Sequence, residues 1–345
     1  MAEKRVNIWM NHWFSTAYNI IDLIKKDEAL DFNIIGTNEN DVSVLMCACD
    51  EWYSEPDKVS DSEYVDFCID FCEKHDIEVF LPHRHMLTIS KYKERFDSIG
   101  TKVIVEDYEK MQLLNHKEQA YDFVKKNAVA SVPSYYVVTT ISEFEKAYNS
   151  ILEQYGNVCT KFVKDEGGKS YRLIDNTRQG YEALFKKQNT RMTYDALHDA
   201  LSQSKNGVFS PLMVMPFLKD EEISVDCLKT PSGNIMVPRV KSYSRFEEVR
   251  YDDDILEMCD SLLNLLDLEN PCNIQFKYLD GIPYFLEVNT RMSGGVHMSC
   301  LSSGVNIPNI AVNKILGINK EWNIDKRNKK VSQVEIPLVI ETSSI

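Results

Sequence analysis

The densest run of side chains able to do chemistry is NIQFKYLDGIPYFLEVNTRMSGG, residues 273–295. It reads as two apolar-rich strands joined at Asp280-Gly281, a dipeptide that favours a tight hairpin turn. Side chains two apart on a strand share a face, so Glu287 and Asn289 point the same way. Gln275 can reach the same spot from the facing strand. Carboxylate and amide oxygens converging from two rigid strands suit a hard cation such as Mg²⁺, which takes oxygen ligands together with phosphate. Arg291 comes two residues later and falls on the same side if the strand continues. A guanidinium beside metal-bound phosphates stabilises a transferred phosphoryl group or its acceptor. The competing reading is a solvent-facing hairpin with ordinary polar alternation. Ser293-Gly294-Gly295 is either a plain turn or a backbone loop at the substrate.

The elements that must position this hairpin are legible along the chain. Strands at 5–10, 32–36, 78–82 and 102–105 alternate with helices at 16–27, 61–75 and 90–98, with a short extended piece at 51–56. That alternation argues for a parallel α/β layer of about 100 residues. In 61–75, Tyr64, Val65, Phe67, Cys68, Phe71 and Cys72 recur at helical spacing, with Asp61 as the N-cap. The turn after the first strand, MNHWFST, has no glycine, which disfavours a dinucleotide site in this lobe. From 115 the texture changes. Helices are expected at 117–126 and 142–155, strands at 135–138 and 157–163, then a glycine turn in DEGGKSYRLI. Segments 212–218 and 222–228 read as a strand pair, TPSGN at 230–234 as a turn, and IMVPRV as its continuation. This is a mostly antiparallel α+β texture. Helices at 253–267 and 308–317 follow, the latter stopped by Gly317. VEIPLVI near the end reads as one more strand.

The chain has 345 residues, 43% hydrophobic and 27% charged. At roughly 100–200 residues per domain this suggests two or three lobes with a packed core. No apolar run approaches the ~18 residues of a membrane helix, and the N-terminus lacks the apolar stretch of a signal peptide. A cytoplasmic protein with no membrane partner is expected. The formal net charge is -14, from 39 basic and 53 acidic residues. So acidic a chain repels polyphosphate backbones, which excludes general nucleic-acid binding and makes locally placed basic residues informative. The nine cysteines, scattered and without a C-x-x-C, read as buried reduced thiols.

The E-x-N-x-R strand preceded by N-x-Q-F resembles the metal-binding hairpin of ATP-grasp enzymes. In pattern it is similar to the large subunit of carbamoyl-phosphate synthase and its small single-unit relatives, with biotin carboxylase more distant. The resemblance covers nearly the whole chain, but specific motifs lie in 115–317. It implies an N-terminal pre-ATP-grasp α/β domain at 1–110 and an ATP-grasp domain at 111–345. Within the latter, a nucleotide-covering lobe is expected at about 130–212 and a metal and phosphate lobe at about 213–345. It implies ATP and Mg²⁺ as cofactors, with Gln275, Glu287 and Asn289 on the metal. Lys117 and Lys161 would contact phosphates, as would the backbone of Gly167 and Gly168. Met215, Phe217 and Leu218 in MVMPFLKDEEISVDC would flank the adenine, and Glu222 the ribose. Arg291 would be catalytic, and Arg239 would hold the acyl phosphate or substrate carboxylate. Each lysine could instead be a surface residue, each hinge residue ordinary buried strand, and Arg239 a surface arginine. Asp226 is a supporting group behind the site or a plain strand residue.

The glycine loop is short and carries Asp165 and Glu166 where several relatives have more glycines, and Gln275 stands where biotin carboxylase has glutamate. The implied activity is phosphorylation of a carboxylate to an acyl phosphate, captured by an amine or another nucleophile. The partners are therefore small-molecule carboxylates and amines, with a homodimer left open. The alternatives are a bicarbonate-activating enzyme and an ATP-binding module without turnover. His83 and His85 lie just past a strand end, where α/β sheets place ligands, and His12 is similarly placed. His297 follows the double glycine. Each is either a substrate contact or a polar loop residue.

Overall fold

The computed structural model describes residues 5–40, 42–164, 169–178, 190–241 and 245–340. The chain divides into two compact units. The first comprises Met1–Leu114, Glu221–Phe276 and Glu287–Ile345; the second comprises Asn115–Asp220 and Lys277–Leu286.

The first unit opens with a parallel sheet of β1 (Val6–Asn11), β2 (Phe32–Asn38), β3 (Glu51–Ser54), β4 (Val79–Leu81) and β5 (Lys102–Val103), in the order β3-β2-β1-β4-β5. The accompanying helices are α1 (Ala17–Ile24), α2 (Asp61–Lys74), α3 (Met86–Lys91) and α4 (Lys93–Ser98). Both faces of the sheet are covered, so β1 and β2 are buried nearly throughout. Trp9, Tyr64, Phe71, Phe80 and Phe96 fill one face, with the Trp9 and Phe80 rings stacked at 4.0 Å. Ile8, Met10 and Ile34 join α1 on the other. The α2 cap is Ser60 rather than Asp61. Its hydroxyl accepts from the Glu63 amide while the Glu63 carboxylate accepts from the Ser60 amide, a reciprocal box that Asp61 cannot form. The expected single helix at 90–98 is two helices broken at Tyr92. On either side of the break Ser90 donates to Glu106 and Lys93 to Val105, so tertiary bonds fix it. An unexpected helix, α5 (Tyr108–Asn115), follows.

The second unit contains α6 (Lys117–Lys126), β6 (Tyr136–Thr140), α7 (Ile141–Tyr155), β7 (Cys159–Phe162), β8 (Arg172–Ile174), β9 (Arg191–Met192), α8 (Tyr194–Ser202) and β10 (Val208–Met215). Its sheet order is β6-β10-β7-β8-β9, antiparallel except for β8 with β9. Phe144, Ile151, Leu197 and Val214 form its core.

The remaining sheet has β11 (Glu222–Thr230), β12 (Gly233–Lys241), β13 (Glu247–Val249), β14 (Cys272–Leu279), β15 (Ile282–Asn289) and β16 (Lys329–Val331), in the order β15-β14-β11-β12-β13-β16. Its helices are α9 (Asp253–Leu265), α10 (Val296–Ser303) and α11 (Ile307–Ile315). Two expectations are corrected here. Segments 212–218 and 222–228 do not pair: β10 lies between β6 and β7, while β11 pairs with β12 in another sheet. Pro216 has no amide hydrogen to continue a ladder, and its carbonyl accepts from the Cys159 thiol instead. VEIPLVI forms no strand; with Pro337 inside it, Val334 through Val339 stay exposed.

Within the first unit the parallel sheet is tied to the C-terminal helices through Asp27. Its buried carboxylate accepts from Asn309 at 2.9 Å and Asn313 at 2.7 Å, with Lys320 at 3.1 Å. Burial alone would push this acid up, yet the Ala29 amide and these partners hold it well below the usual carboxylate range. Among the described residues, no helix is long and apolar enough to cross a membrane.

Candidate functional site

Gln275, Glu287 and Asn289 all sit half-buried on β14 and β15 of the first unit. The Asn289 amide donates to Glu287 Oε1 at 3.1 Å, which leaves the Asn289 carbonyl oxygen unused by that bond. Gln275 donates through Nε2 to Asn273 Oδ1 at 3.0 Å. Behind them, Asn273, Asp226 and Arg239 are almost fully buried. Among the described residues no group of three or more His, Cys, Asp or Glu side chains is placed to hold a metal ion. The candidate donors named from the sequence are one carboxylate and two amides. Such all-oxygen ligands fit a hard cation that keeps phosphate or water in its other positions.

Arg239 is enclosed rather than presented. Its guanidinium binds Asp226 at 3.1 Å, Glu247, the Ser299 hydroxyl at 2.9 Å and the Ser293 hydroxyl at 3.0 Å. Burial opposes its charge, but Asp226 and Glu247 outweigh that and hold its pKa above the usual value. A Cβ on Gly295 would lie 2.4 Å from Arg239 Nη1, so only glycine lets the loop after Arg291 close over this guanidinium. The structure thus places Arg239 behind the Ser293–Gly295 loop, packed against it.

Arg291 extends from the end of β15 to the C-terminal edge of the parallel sheet. Its guanidinium lies over the Phe14 ring at 5.7 Å and donates to the Met292 carbonyl at 3.1 Å. Burial draws its pKa down, opposed by the charges of Glu287 and Asp226. His83 packs on Trp13 and Phe14, with ring centroids at 5.1 and 5.2 Å. Burial first, then the Arg291 charge, pushes His83 down to about 4, so it is neutral at physiological pH. Asn11 fixes this loop by accepting from the His83 amide at 2.6 Å. Asn11 in turn donates to Tyr64, which donates to the buried Glu55. A shallow cleft opens beside Arg291, lined by Trp13, Leu81, Met86, Ile104 and Thr290 among others. It is mostly apolar, with one cation. His85 turns away to Asp61 at 3.1 Å and packs on Tyr64. His297 is half-buried, and burial followed by the Arg239 charge lowers its pKa. Glu222, at the start of β11, pairs with Lys241 at 2.7 Å.

In the second unit, Lys161 lies on β7 opposite Met213, and half-buried Lys117 opens α6. Lys161 and Lys277 both bring positive charge to Cys159, whose thiol burial pushes up to about 11 against that pull. Lys277 is a cation that sequence reasoning missed. The available signal was its spacing, two residues after Gln275 along β14, with Nζ 5.6 Å from the Phe217 ring centre. Met215 and Leu218 are buried and Phe217 half-buried. The Phe217 amide donates to Asn157 at 2.8 Å, and the Asp220 amide to the Tyr278 carbonyl. Gly167 and Gly168 lie outside the described residues.

Comparison with known proteins follows the same lines. Residues 208–337 match the family model described as ATP-grasp in the biosynthetic pathway with Ter operon, and residues 15–104 match the PylC-like N-terminal domain. The carbamoyl phosphate synthase large chain of Clostridium acetobutylicum is 23% identical over 325 residues, covering 88% of this chain. The chain spans only 28% of that relative's length. N5-carboxyaminoimidazole synthetase from Staphylococcus aureus, solved with ADP, superposes with a TM-score of 0.71 at 11% identity, covering 97% of this chain and 84% of that one. The L-amino acid ligase from Bacillus licheniformis gives a TM-score of 0.64 at 12% identity, covering 90% and 74%. At such identities the likeness shows the fold, which is the ATP-grasp fold with its parallel N-terminal sheet.

Proposed function

We propose that this chain, ATP-grasp in fold and in its matched segment, is an ATP-dependent, ADP-forming ligase that activates a small carboxylate for attack by an amine. The observation that carries the reading is the hairpin end of the first unit. Glu287 and Asn289 are bonded to each other on β15, Gln275 lies on the neighbouring strand β14, and Arg291 follows along the chain beside a shallow cleft. Gln275, Glu287 and Asn289 would hold Mg²⁺, which supplies charge neutralisation on the nucleotide phosphates. Lys117, Lys161 and Lys277 hold phosphate oxygens as point charges, joined by the backbone of Gly167 and Gly168. The main chain of Met215, Phe217 and Leu218 reads the adenine edge, and Glu222 the ribose.

The substrate's non-reacting part packs against the apolar lining of the cleft beside Arg291. Its carboxylate oxygen attacks the γ-phosphorus, the bond to the ADP oxygen breaks, and Arg291 stabilises the charge that develops. An amine then attacks the acyl carbon and phosphate leaves. Arg239 supports the Ser293–Gly295 loop from behind. The division into a domain at 1–110, a nucleotide-covering lobe and a metal lobe belongs to the same proposal, as do a homodimer and a cytoplasmic location. All nine cysteines are free, in keeping with a reducing compartment.

The test is an ADP-release screen of carboxylates crossed with amines, followed by product mass. ADP release dependent on one such pair, with a product lighter by water than their sum, is the expected result. A second reading, bicarbonate activation, is favoured by the likeness to N5-carboxyaminoimidazole synthetase and carbamoyl phosphate synthase. ADP release that requires bicarbonate and no other carboxylate would establish it instead.

A further inference from the structure

A side-chain amide has an oxygen end, which accepts, and an NH₂ end, which donates; its neighbours decide which end faces where. In the first unit that choice is forced along a chain of three residues. The Asp226 carboxylate can only accept. Its Oδ2 is taken by Arg239 Nε at 3.2 Å and Nη2 at 3.1 Å, and by the Ser299 hydroxyl at 2.5 Å. Its Oδ1 accepts from Asn273 Nδ2 at 2.9 Å. The same NH₂ also donates to the Val225 carbonyl at 3.2 Å. Turning Asn273 over would set its oxygen against a carboxylate and a carbonyl in a site closed to water, with two donors wasted. The adjacent Ser224 hydroxyl can donate or accept, so it imposes no preference. Asn273 Oδ1 therefore faces Gln275 and receives its Nε2 at 3.0 Å. With its NH₂ committed inward, Gln275 has only Oε1 to present on its outer side.

We propose that Asp226 is a positioning residue that sets the polarity of the cation site: through Asn273 it turns the oxygen of Gln275, and not its NH₂, toward the metal. This rests on the cation reading above and deepens it. It also gives a physical reason why an uncharged amide can serve where a carboxylate would seem the better ligand. A carboxylate at 275 would meet the Asn273 oxygen, which Asp226 prevents from turning away.

The experiment measures Mn²⁺ uptake by the full chain in the presence of ADP, from the electron paramagnetic resonance signal of free Mn²⁺. Asp226→Asn is expected to weaken Mn²⁺ binding by about 10- to 100-fold, the usual effect of losing a group that orients a metal ligand. Asn273→Ala, which leaves the Asp226–Arg239 pair intact, is expected to do the same and decides the matter if Asp226→Asn fails to fold by circular dichroism. A double-mutant cycle separates positioning from general damage. Gln275→Glu adds a negative charge, yet is expected to give no tightening in the natural background. In the Asp226→Asn background, where Asn273 can turn and donate to the new carboxylate, it is expected to tighten Mn²⁺ binding. Folded Asp226→Asn and Asn273→Ala proteins that both bind Mn²⁺ like the natural chain would overturn the proposal. So would equal tightening by Gln275→Glu in both backgrounds. Failure of the natural protein itself to take up Mn²⁺ with ADP would instead overturn the cation reading, and this inference with it.

Discussion

The hairpin end of the first unit and the lysine-bearing second unit are built to different tolerances. Gln275, Glu287 and Asn289 project from neighbouring strands; hydrogen bonds orient the Gln275 amide back to buried Asp226 and Arg239, and Glu287 orients the Asn289 amide. Lys117, Lys161 and Lys277 instead carry their charges on long stems and are only half-buried; Lys277 rests on the Phe217 ring. A small hard cation demands near-ideal ligand geometry, whereas a lysine acts on phosphate as a movable point charge. The contrast teaches that the first region should fail sharply when one atom is changed, and the second gradually.

Four substitutions sharpen or break that contrast, from the largest expected effect downward. Glu287→Ala should lower ADP release by at least about 10³-fold, the several kcal/mol that a bound metal ion contributes, with the melting curve little changed. Turnover at the natural rate would remove the hairpin from the active site. Arg239→Leu leaves buried Asp226 and half-buried Glu247 without their cation, and should cost about 3–5 kcal/mol of stability, read as a lower urea midpoint. Replacing Asp226 with Leu as well should restore part of that loss. Lys161→Met should raise the KM for ATP by about 10- to 100-fold, one charge-assisted hydrogen bond, while kcat changes less.

The smallest effect is a pH dependence from His83. Its folded pKa, about 4, lies below the ordinary 6.5 because burial and then the Arg291 charge disfavour the cation. Between those values the unfolded chain binds a proton that the folded one refuses, so stability falls as pH drops from 6.5 toward 4 and changes no further below it. The loss should reach at most about 2–3 kcal/mol. His83→Asn should flatten that part of the pH–melting curve; an unchanged slope would place the imidazole in water.

The fold class was legible because strands and helices alternate cleanly up to 105, and the β14–β15 hairpin because its residues follow the two-residue period of a strand around Asp280-Gly281. What escaped depends on contacts that periodicity does not encode. Apolar runs on both sides of Pro216 look like one strand pair, yet the proline ends the ladder and sends β10 and β11 into different sheets. The exposed apolar character of VEIPLVI imitates a strand that finds no partner among the described residues. Val296–Ser303 forms α10 although its small and mixed side chains show little helical periodicity. For Arg239 the resemblance implied a substrate or acyl-phosphate contact, with a surface arginine as the alternative; spacing cannot reveal that Asp226, Glu247 and two serines surround it. The Asp226–Asn273–Gln275 chain is invisible in one dimension, since 226 and 273 meet only when β11 and β14 pair.

The most direct measurement is Mn²⁺ affinity in the presence of ADP for the natural chain beside Glu287→Gln, which keeps the side-chain shape and removes its charge. If the hairpin end holds the cation, the natural protein binds Mn²⁺ and the variant loses at least about 10-fold in affinity. Equal affinity in two folded proteins would mean that the cation, and with it the phosphoryl chemistry, belongs elsewhere.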